Sequence, residues 1–445
     1  MRKIRFLQSL ASIIAVVALT ACSGNAGNEG QSPNTPKATS NEGSQTSQPA
    51  PTAAASKEAV TLTYGLWDQV QKPAMEAIIA KFKDTHPNVN VKIELTPWNE
   101  YWTKLDTAAT GGTLPDIFWM NGSSIVKFAA NDQLLAFNEL ADADKFDWSL
   151  YPKSLVDMYS FKGKHYGVPK DYDTIGLWYN KKLFDEAKLP YPDASWDWNK
   201  AVEVAKKLTD PSKRIWGLPA QFQGQIGFYN TILEAGGNLL SSDGTKSGYD
   251  TPEGVRGIQL QTDLILVHKV SPTLAQMSDT NPKDLFKSGK AAMLMDGSWN
   301  VKDFATNDYT KDKVDVAVLP KDKVRSGVIH GLGNVVSAKT KHPKEAWEFA
   351  KFLSSKEAAD IQAKDGTALP ALQGGEALWL KSTPQFNLQA FVDMAKESVQ
   401  YPATLNSAKW DGLEKETLKA AFTGETTAAA AAKELGRKID ETLKP

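Results

Sequence analysis

Residues 60–67 read Val-Thr-Leu-Thr-Tyr-Gly-Leu-Trp, a run rich in β-forming side chains that predicts a strand ending at a polar turn. Pro73 then suits the first turn of a helix, and His86-Pro87 predicts where that helix ends. Between these points, apolar side chains recur at the spacing of one helical face. They are Met75, Ile78, Ile79 and Phe82. A strand followed by an amphipathic helix is therefore the first unit of the predicted fold.

The strand–helix unit repeats further along the chain. A second strand is predicted at Val89–Leu95, an amphipathic helix near residues 99–110 and a third strand at residues 116–120. This alternation is typical of an α/β fold, in which helices cover the faces of a parallel sheet. Ligands of such sheets bind beyond the carboxyl ends of the strands, where this chain carries Trp67-Asp68 and Asn121.

Later segments continue the alternation, and three more strands are predicted at residues 174–179, 291–295 and 314–319. Helices are predicted at residues 199–208 and 254–268 and after Pro343, and the alanine-rich residues 426–443 predict a surface helix.

The composition excludes several classes of protein. With 445 residues, 41% of them hydrophobic and 23% charged, the chain suits two or more domains. Its 51 basic and 52 acidic residues leave a net charge of -1, so no nucleic-acid partner is expected. The single cysteine excludes an intrachain disulfide and a cysteine-based metal site. The 13 tryptophans exceed the usual needs of packing, so some are candidates for ligand contacts.

The first residues predict a targeting segment. A basic start is followed by an apolar run that is too short to span a bilayer and that ends at Leu19-Thr20-Ala21-Cys22. This ending resembles the bacterial lipobox, which implies a signal peptide at residues 1–21 and a lipid on Cys22. Residues 23–58 contain no Val, Ile, Leu, Met or aromatic side chain, so residues 22–58 are predicted to be a lipidated cysteine and a disordered tether.

Motifs for catalysis and cofactor binding are missing from the sequence. We find no phosphate-binding Gly-rich loop, no nucleophile elbow and no zinc motif, and the five histidines are scattered. Asp171-x-Asp173 begins like a calcium loop, but Lys182 stands where the last glutamate is needed. We therefore predict no enzyme activity, no cofactor and no metal. A pair of glycosidase carboxylates stays open as an alternative, because such residues need not be adjacent in sequence.

Aromatic side chains beside short polar groups favour a sugar ligand. A pyranose has hydroxyls for hydrogen bonding and an apolar face that stacks on an indole ring. Trp67-Asp68 and Ser298-Trp299 both offer this combination. Other tryptophans are predicted to serve packing, either in the core or beside a helix N-cap at Asp197. They are Trp119, Trp178, Trp347, Trp196 and Trp198.

One motif resembles a known family. Residues 286–299 read Phe-Lys-Ser-Gly-Lys-Ala-Ala-Met-Leu-Met-Asp-Gly-Ser-Trp, which resembles the F-x-x-G-x-A-A-M-x-x-x-G-x-W signature of family 1 extracellular solute-binding proteins. These maltose-binding-protein-like molecules are the sugar receptors of ABC importers. Weaker matches follow the family's order, among them Gly163-Lys-His-Tyr-Gly-Val-Pro169 and Leu177-Trp-Tyr-Asn-Lys181.

The resemblance implies a two-lobed, clamp-like α/β fold in which each lobe is a mainly parallel sheet flanked by helices. On this pattern the N-lobe comprises residues 59–171 and 329–371, and the C-lobe comprises residues 172–328 and 372–445.

The resemblance also implies ligand contacts. Trp299, which closes the signature, would stack on sugar, and polar groups after the first and third strands correspond to Trp67, Asp68 and Asn121. The segment after the Tyr-Gly-x-Pro motif corresponds to Asp171 and Tyr172. Looser local matches add further residues. These are Gln221, Gln223, Phe228 and Trp410.

The leading hypothesis is a monomeric substrate-binding lipoprotein that is anchored at the extracellular face of the cell membrane. It would capture a carbohydrate, expected to be an oligosaccharide, and deliver it to the permease of an ABC transporter. One alternative is a surface-anchored carbohydrate-active hydrolase. Another is the same fold with a peptide, polyamine or anion as ligand, although the tryptophans favour sugar and arginine is too scarce to favour an anion.

Overall fold

The computed structural model describes residues 58–444. The predicted signal peptide, Cys22 and the tether up to residue 57 lie outside the described residues.

Strands and helices alternate along most of the described chain. The strands are β1 (Val60–Leu66), β2 (Val89–Leu95), β3 (Ile117–Asn121), β4 (Ser160–Phe161), β5 (Lys164–His165), β6 (Gly167–Asp173), β7 (Ile175–Asn180), β8 (Met293–Gly297), β9 (Val314–Ala317), β10 (Gly327–Val336), β11 (Leu369–Pro370) and β12 (Ser398–Gln400). The helices are α1 (Lys72–Thr85), α2 (Trp98–Gly111), α3 (Gly122–Ala130), α4 (Asn138–Asp144), α5 (Lys153–Met158), α6 (Lys181–Ala187), α7 (Trp198–Leu208), α8 (Tyr229–Glu234), α9 (Pro252–Leu266), α10 (Leu274–Asp279), α11 (Pro282–Lys287), α12 (Val301–Thr306), α13 (Pro343–Leu353), α14 (Lys356–Asp365), α15 (Glu376–Ser382), α16 (Gln389–Glu397), α17 (Trp410–Thr423) and α18 (Ala428–Leu443).

The larger sheet has the strand order β11-β6-β10-β3-β1-β2, and β12 pairs with the beginning of β10. Strand β1 runs parallel to β2 and β3, as the strand–helix alternation predicts. Strand β10 runs antiparallel to β3 and β6, so the sheet is mixed. A second sheet has the order β8-β7-β9.

The prediction of a mainly parallel sheet in each lobe is wrong for the second sheet, because β7 is antiparallel to both β8 and β9. Parallel strands need a crossover connection, usually a helix. Helix α12 connects β8 and β9, which run in the same direction, but β7 comes from an earlier part of the chain, lies between them and runs the opposite way.

The larger sheet packs against helices through the apolar faces that the sequence predicts. Met75, Ile78 and Phe82 of α1 are fully buried, and the helix ends before His86-Pro87. Helix α13 buries the predicted face that contains Trp347. The first unit of the fold is therefore an amphipathic helix that covers a parallel strand pair.

A separate apolar cluster surrounds the second sheet and the C-terminal helices. Asp197 caps α7 by accepting a hydrogen bond from the backbone N–H of Lys200 at 2.8 Å, as predicted. The surface helix predicted at residues 426–443 is confirmed as α18, which exposes one face and buries the other, where Ala432, Leu435 and Ile439 are fully buried. Alanine-rich composition does not show which neighbour a helix meets.

Strand ends bring polar side chains to the edge of the larger sheet. Strand β1 leads into Trp67-Asp68, β3 ends at Asn121 and β6 ends at Asp173. Asn121 also caps α3, because its Oδ1 accepts a hydrogen bond from the N–H of Ser124 at 3.1 Å. Within residues 58–444, no helix is long and apolar enough to cross a membrane.

A buried hydrogen-bond network ties three strands of this sheet together. The indole Nε1 of Trp119 donates to the hydroxyl of Tyr64 at 2.6 Å, and that hydroxyl donates to Oδ1 of Asn334 at 2.9 Å. The three residues lie on β3, β1 and β10. Because all three side chains are buried, a lost partner would leave a polar group without water.

Replacing Tyr64 with phenylalanine is expected to lower the free energy of unfolding by about 1–3 kcal/mol, since Trp119 and Asn334 would each lose a buried partner. Urea denaturation measures this difference. Tyr191→Phe is the matched control, because that exposed hydroxyl donates only to the surface carboxylate of Asp185. Its expected change is within about 0.5 kcal/mol. Equal losses in the two variants would contradict a special role for the network.

Candidate ligand-binding cleft

A cavity of about 1750 Å³ lies at the strand ends of both sheets. Its walls come from the segments after β1 and β3, from the end of β6, from the turn after β8 and from the beginning of α17. Drug-sized ligands usually occupy pockets of roughly 300–1,000 Å³, so this cavity is large enough for a ligand of several rings. It is called the cleft below.

Trp67 forms part of an aromatic cluster on one wall of the cleft. Its ring centroid lies 5.1 Å from that of Trp98, 5.8 Å from Trp102 and 5.1 Å from Trp119. Trp98 is 45% exposed, whereas Trp119 is fully buried. The cluster therefore fixes the orientation of Trp67 and still presents indole surface to the cleft.

Asp68 and Asp171 belong to one polar chain at the floor of the cleft. Asp68 accepts from the side-chain amide of Gln71 at 3.1 Å, and Oε1 of Gln71 accepts from Lys170 at 2.8 Å. The same ammonium pairs with Asp171 and lies 4.5 Å from the ring centroid of Trp119. Burial raises the pKa of Asp171, and Lys170 opposes that rise. The chain holds both carboxylates in fixed positions.

Asn121 and His330 face the cleft from neighbouring strands. The oxygen of Asn121 is occupied by the helix cap, so its amide group is the part that can donate to a ligand. Nε2 of His330 accepts from the N–H of Gly122 at 3.0 Å, and burial lowers the pKa of His330 to about 3. His330 is therefore neutral and adds no positive charge.

Trp299 also lines the cleft and follows β8 and Ser298. Its ring passes so close to Gly297 that a Cβ on that glycine would come within 2.1 Å of the ring. The glycine in the Gly-x-Trp signature therefore has a physical reason, since any side chain there would displace the indole. Tyr172 and Gln223 also line the cleft.

Gln221 lines the cleft but is held by the protein. Its amide nitrogen donates to the carbonyl oxygen of Met295 at 2.8 Å. The side chain has little freedom to turn toward a ligand because it is buried.

The structure does not bring Phe228 and Trp410 to the cleft, contrary to the sequence prediction. Each is 1% exposed and belongs to the apolar cluster around the second sheet. The indole Nε1 of Trp410 donates to the hydroxyl of Thr442 on α18 at 3.1 Å. Helix α18 covers the face of α17 that carries Trp410, and a local motif cannot reveal that contact.

Several residues that line the cleft are not among the ligand contacts predicted from the sequence. Trp98 and Trp102 stand four residues apart on α2, a spacing that places them on one face and was available as a signal. Asp173 and Asp296 also stand beside predicted site residues in the sequence, whereas Tyr401 and Glu414 had no local signal.

Three of these residues carry carboxyl groups whose pKa values are raised. Burial raises the pKa of Asp173 to about 8, that of Glu414 to about 7 and that of Asp296 to about 6. Within the described part of the chain, no group of three or more His, Cys, Asp or Glu side chains has the arrangement of a metal site. The cleft therefore offers aromatic faces, amides and carboxyl groups, which suit a ligand with apolar faces and many hydrogen-bonding groups.

Known proteins are similar to this chain in sequence and in fold. Residues 67–360 match the family model described as bacterial extracellular solute-binding protein. The galactooligosaccharide-binding protein of Bacillus subtilis is 24% identical over 340 residues, which cover 74% of this chain and 76% of that protein.

Two solved structures extend the likeness to the whole described body. The ABC substrate-binding protein Lmo0181 from Listeria monocytogenes, in complex with cycloalternan, has a TM-score of 0.82 at 29% identity, covering 87% of this chain and 99% of that one. The GacH receptor of Streptomyces glaucescens has a TM-score of 0.79 at 23% identity, covering 87% and 99%. The two-lobed α/β fold class is thereby confirmed, as is the resemblance carried by residues 286–299. The chain belongs to the family of bacterial extracellular solute-binding proteins.

Proposed function

We propose that this protein binds a carbohydrate of several sugar units in the cleft and delivers it to the permease of an ABC importer. The observation that carries the proposal is that Trp67 and Trp299 line one cavity together with Asp68, Asn121 and Asp171. Indole faces stack on the apolar side of a pyranose, and the polar groups hydrogen-bond its hydroxyls. Similar proteins bind a galactooligosaccharide and cycloalternan, which supports this ligand class.

The proposal includes two lobes that close on the ligand, with an N-lobe of residues 59–171 and 329–371 and a C-lobe of residues 172–328 and 372–445. The strand order supports this division into lobes. Strands β7, β8 and β9 form a separate sheet, and all three lie within residues 175–317 of the proposed C-lobe. Trp67 and Trp299 follow strands of different sheets. A ligand that touches both would favour the closed arrangement by its contacts to both lobes. We expect the protein to act as a monomer.

Truncating Trp299 to alanine is expected to weaken saccharide binding by about 2–4 kcal/mol, because a large aromatic contact is lost. Calorimetric titration with an oligosaccharide that binds the unmodified protein measures the loss. Trp148→Ala is the matched control, since that indole stacks on His165 with ring centroids 4.2 Å apart and does not line the cleft. Its affinity should equal that of the unmodified protein. Unchanged affinity in Trp299→Ala would remove Trp299 from the site.

The proposal also states that the chain performs no chemistry on the bound sugar. Incubation with that oligosaccharide should leave it intact while binding saturates, and chromatography of the mixture checks this. The appearance of shorter products would favour the alternative of a carbohydrate-active hydrolase. In that case replacing Glu414 or Asp296 by the corresponding amide should abolish the products, because these carboxyls line the cleft with raised pKa values.

Attachment to the outer face of the cell membrane through a lipid on Cys22 is proposed from the sequence pattern. Cys22→Ser removes the sulfur that would carry the lipid, so the protein should move from the membrane fraction to the soluble fraction of a bacterial host. Immunoblotting of both fractions measures the shift, and Ser23→Ala should behave as the unmodified protein. Retention of Cys22→Ser in the membrane fraction would refute the anchor.

A further inference from the structure

The ring of Tyr401 marks one end of the cleft, next to two carboxyl groups. Tyr401 follows β12 and lies with its ring centroid 4.5 Å from that of His330 and 5.4 Å from that of Tyr229. The hydroxyl of Tyr229 donates to Glu414, and Asp173 is the strand partner of His330, so each carboxyl group belongs to a direct neighbour of one of the two rings that contact Tyr401. Tyr401, Glu414 and Asp173 are called the acidic subsite.

Glu414 is 3% exposed, and its two carboxyl oxygens have different surroundings. Oε1 accepts from the hydroxyls of Tyr229 at 2.6 Å and Tyr249 at 2.5 Å. Oε2 has no hydrogen-bond partner among residues 58–444. It is also not fully enclosed by protein, so it remains accessible. Because Glu414 lines the cleft, this second oxygen faces the cavity.

The two carboxyl oxygens of Asp173 also differ in their hydrogen bonding. Its Oδ1 accepts from the side-chain amide of Gln225 at 2.8 Å, and its Oδ2 has no partner in the described part of the chain. Glu414 and Asp173 therefore line the cleft together with Tyr401, and each has one carboxyl oxygen without a donor from the described residues.

Lys409 and Lys419 also line the cleft, but neither they nor any other cation of the described residues pairs with a carboxyl group of the acidic subsite. Lys415, the cation closest to Glu414 in sequence, pairs with Asp411 at 2.7 Å, and Lys170 pairs with Asp171. His330 is neutral because its Nε2 accepts a hydrogen bond. Among residues 58–444, neither Glu414 nor Asp173 has an ion-pair partner within 4.0 Å. Nearly buried carboxyl groups without a cation are uncommon, because burial penalises their charge.

We propose that the acidic subsite binds the protonated amine of an amino sugar, so that the preferred ligand is a saccharide with at least one free amino group. An ammonium ion donates three hydrogen bonds, two of which can go to the unclaimed oxygens of Glu414 and Asp173, and its charge is attracted to the aromatic ring of Tyr401. The inference rests on the proposed function, because Trp67 and Trp299 would hold the rings of the same saccharide.

In the free protein the two carboxyl groups of the acidic subsite are only partly ionised at pH 7, so binding of an ammonium ion would release protons. Burial raises the pKa of Glu414 to about 7 and that of Asp173 to about 8. A neighbouring positive charge favours the ionised form of a carboxyl group, so a bound ammonium would offset the cost of burying these two groups.

Matched pairs of sugars test the inference at pH 7. The pairs are glucosamine and glucose, galactosamine and galactose, and the β-1,4-linked trimers of glucosamine and of glucose. Dissociation constants from calorimetry are compared within each pair, and the N-acetylated trimer serves as a third, uncharged member. In at least one pair the amine-bearing sugar should bind about tenfold tighter or more, as expected for a charge-assisted contact. Acetylation should remove that preference.

Variants locate the effect on the subsite. Glu414→Gln and Asp173→Asn keep the volume and one oxygen acceptor but cannot ionise when the amine binds, so each should reduce the preference for the amine by about threefold or more. Glu416→Gln is the matched control, because this exposed carboxyl lies on the same helix and pairs with Lys438 at 2.8 Å. It should keep the full preference. Thermal unfolding of each variant verifies folding, and Asp173→Asn decides the question if Glu414→Gln does not fold.

An amine that brings no gain in any pair, including the case in which neither member binds, would overturn the inference. A preference that survives in both Glu414→Gln and Asp173→Asn would overturn it as well. Saturable binding of a neutral oligosaccharide that depends on Trp299 would show in either case that the proposed function stands without the amine preference. Failure of every saccharide to bind would count against both.

Discussion

The ten residues of β10 exchange backbone hydrogen bonds with β6 along one edge and with β3 and then β12 along the other. Three cleft-forming contacts depend on this strand. Asn334 holds Tyr64, His330 meets Tyr401, and the N–H of Leu332 donates to Asp171 at 3.2 Å. Backbone pairing of this kind fixes register, so residues more than 150 positions apart in sequence meet at fixed distances.

The cleft combines two ways of holding side chains. Indoles are fixed by packing, as the cluster around Trp67 and the close approach of Trp299 to Gly297 show. Carboxyl groups are fixed by donors from the protein, which occupy one oxygen and leave the other toward the cavity at Glu414 and Asp173. Because the indoles and the carboxyl groups are already held in place before binding, the protein loses less side-chain entropy when a ligand binds.

Much of the fold follows from local patterns. The apolar spacing on α1, the cap at Asp197 and the strand ends at Trp67 and Asn121 all occur where the sequence predicts them. Strand direction in the second sheet was not predictable in this way, because β7 lies between β8 and β9 although it comes from an earlier part of the chain. Phe228 and Trp410 are aromatic residues of the kind that contact sugars, and yet both are buried. The same apolar surface of an aromatic side chain serves packing or binding, so residue type alone does not distinguish the two.

The sequence alone determined the α/β class, the family through residues 286–299, and the aromatic and polar residues that follow the first strands of the larger sheet. These features depend on side chains that are near one another along the chain. Only the tertiary structure decided that Asp173, Tyr401 and Glu414 line the same cleft, which tryptophans reach it, and which carboxyl oxygens remain without a donor. Those properties arise from burial and from contacts between distant segments, and burial is set by the whole packed chain rather than by any local pattern.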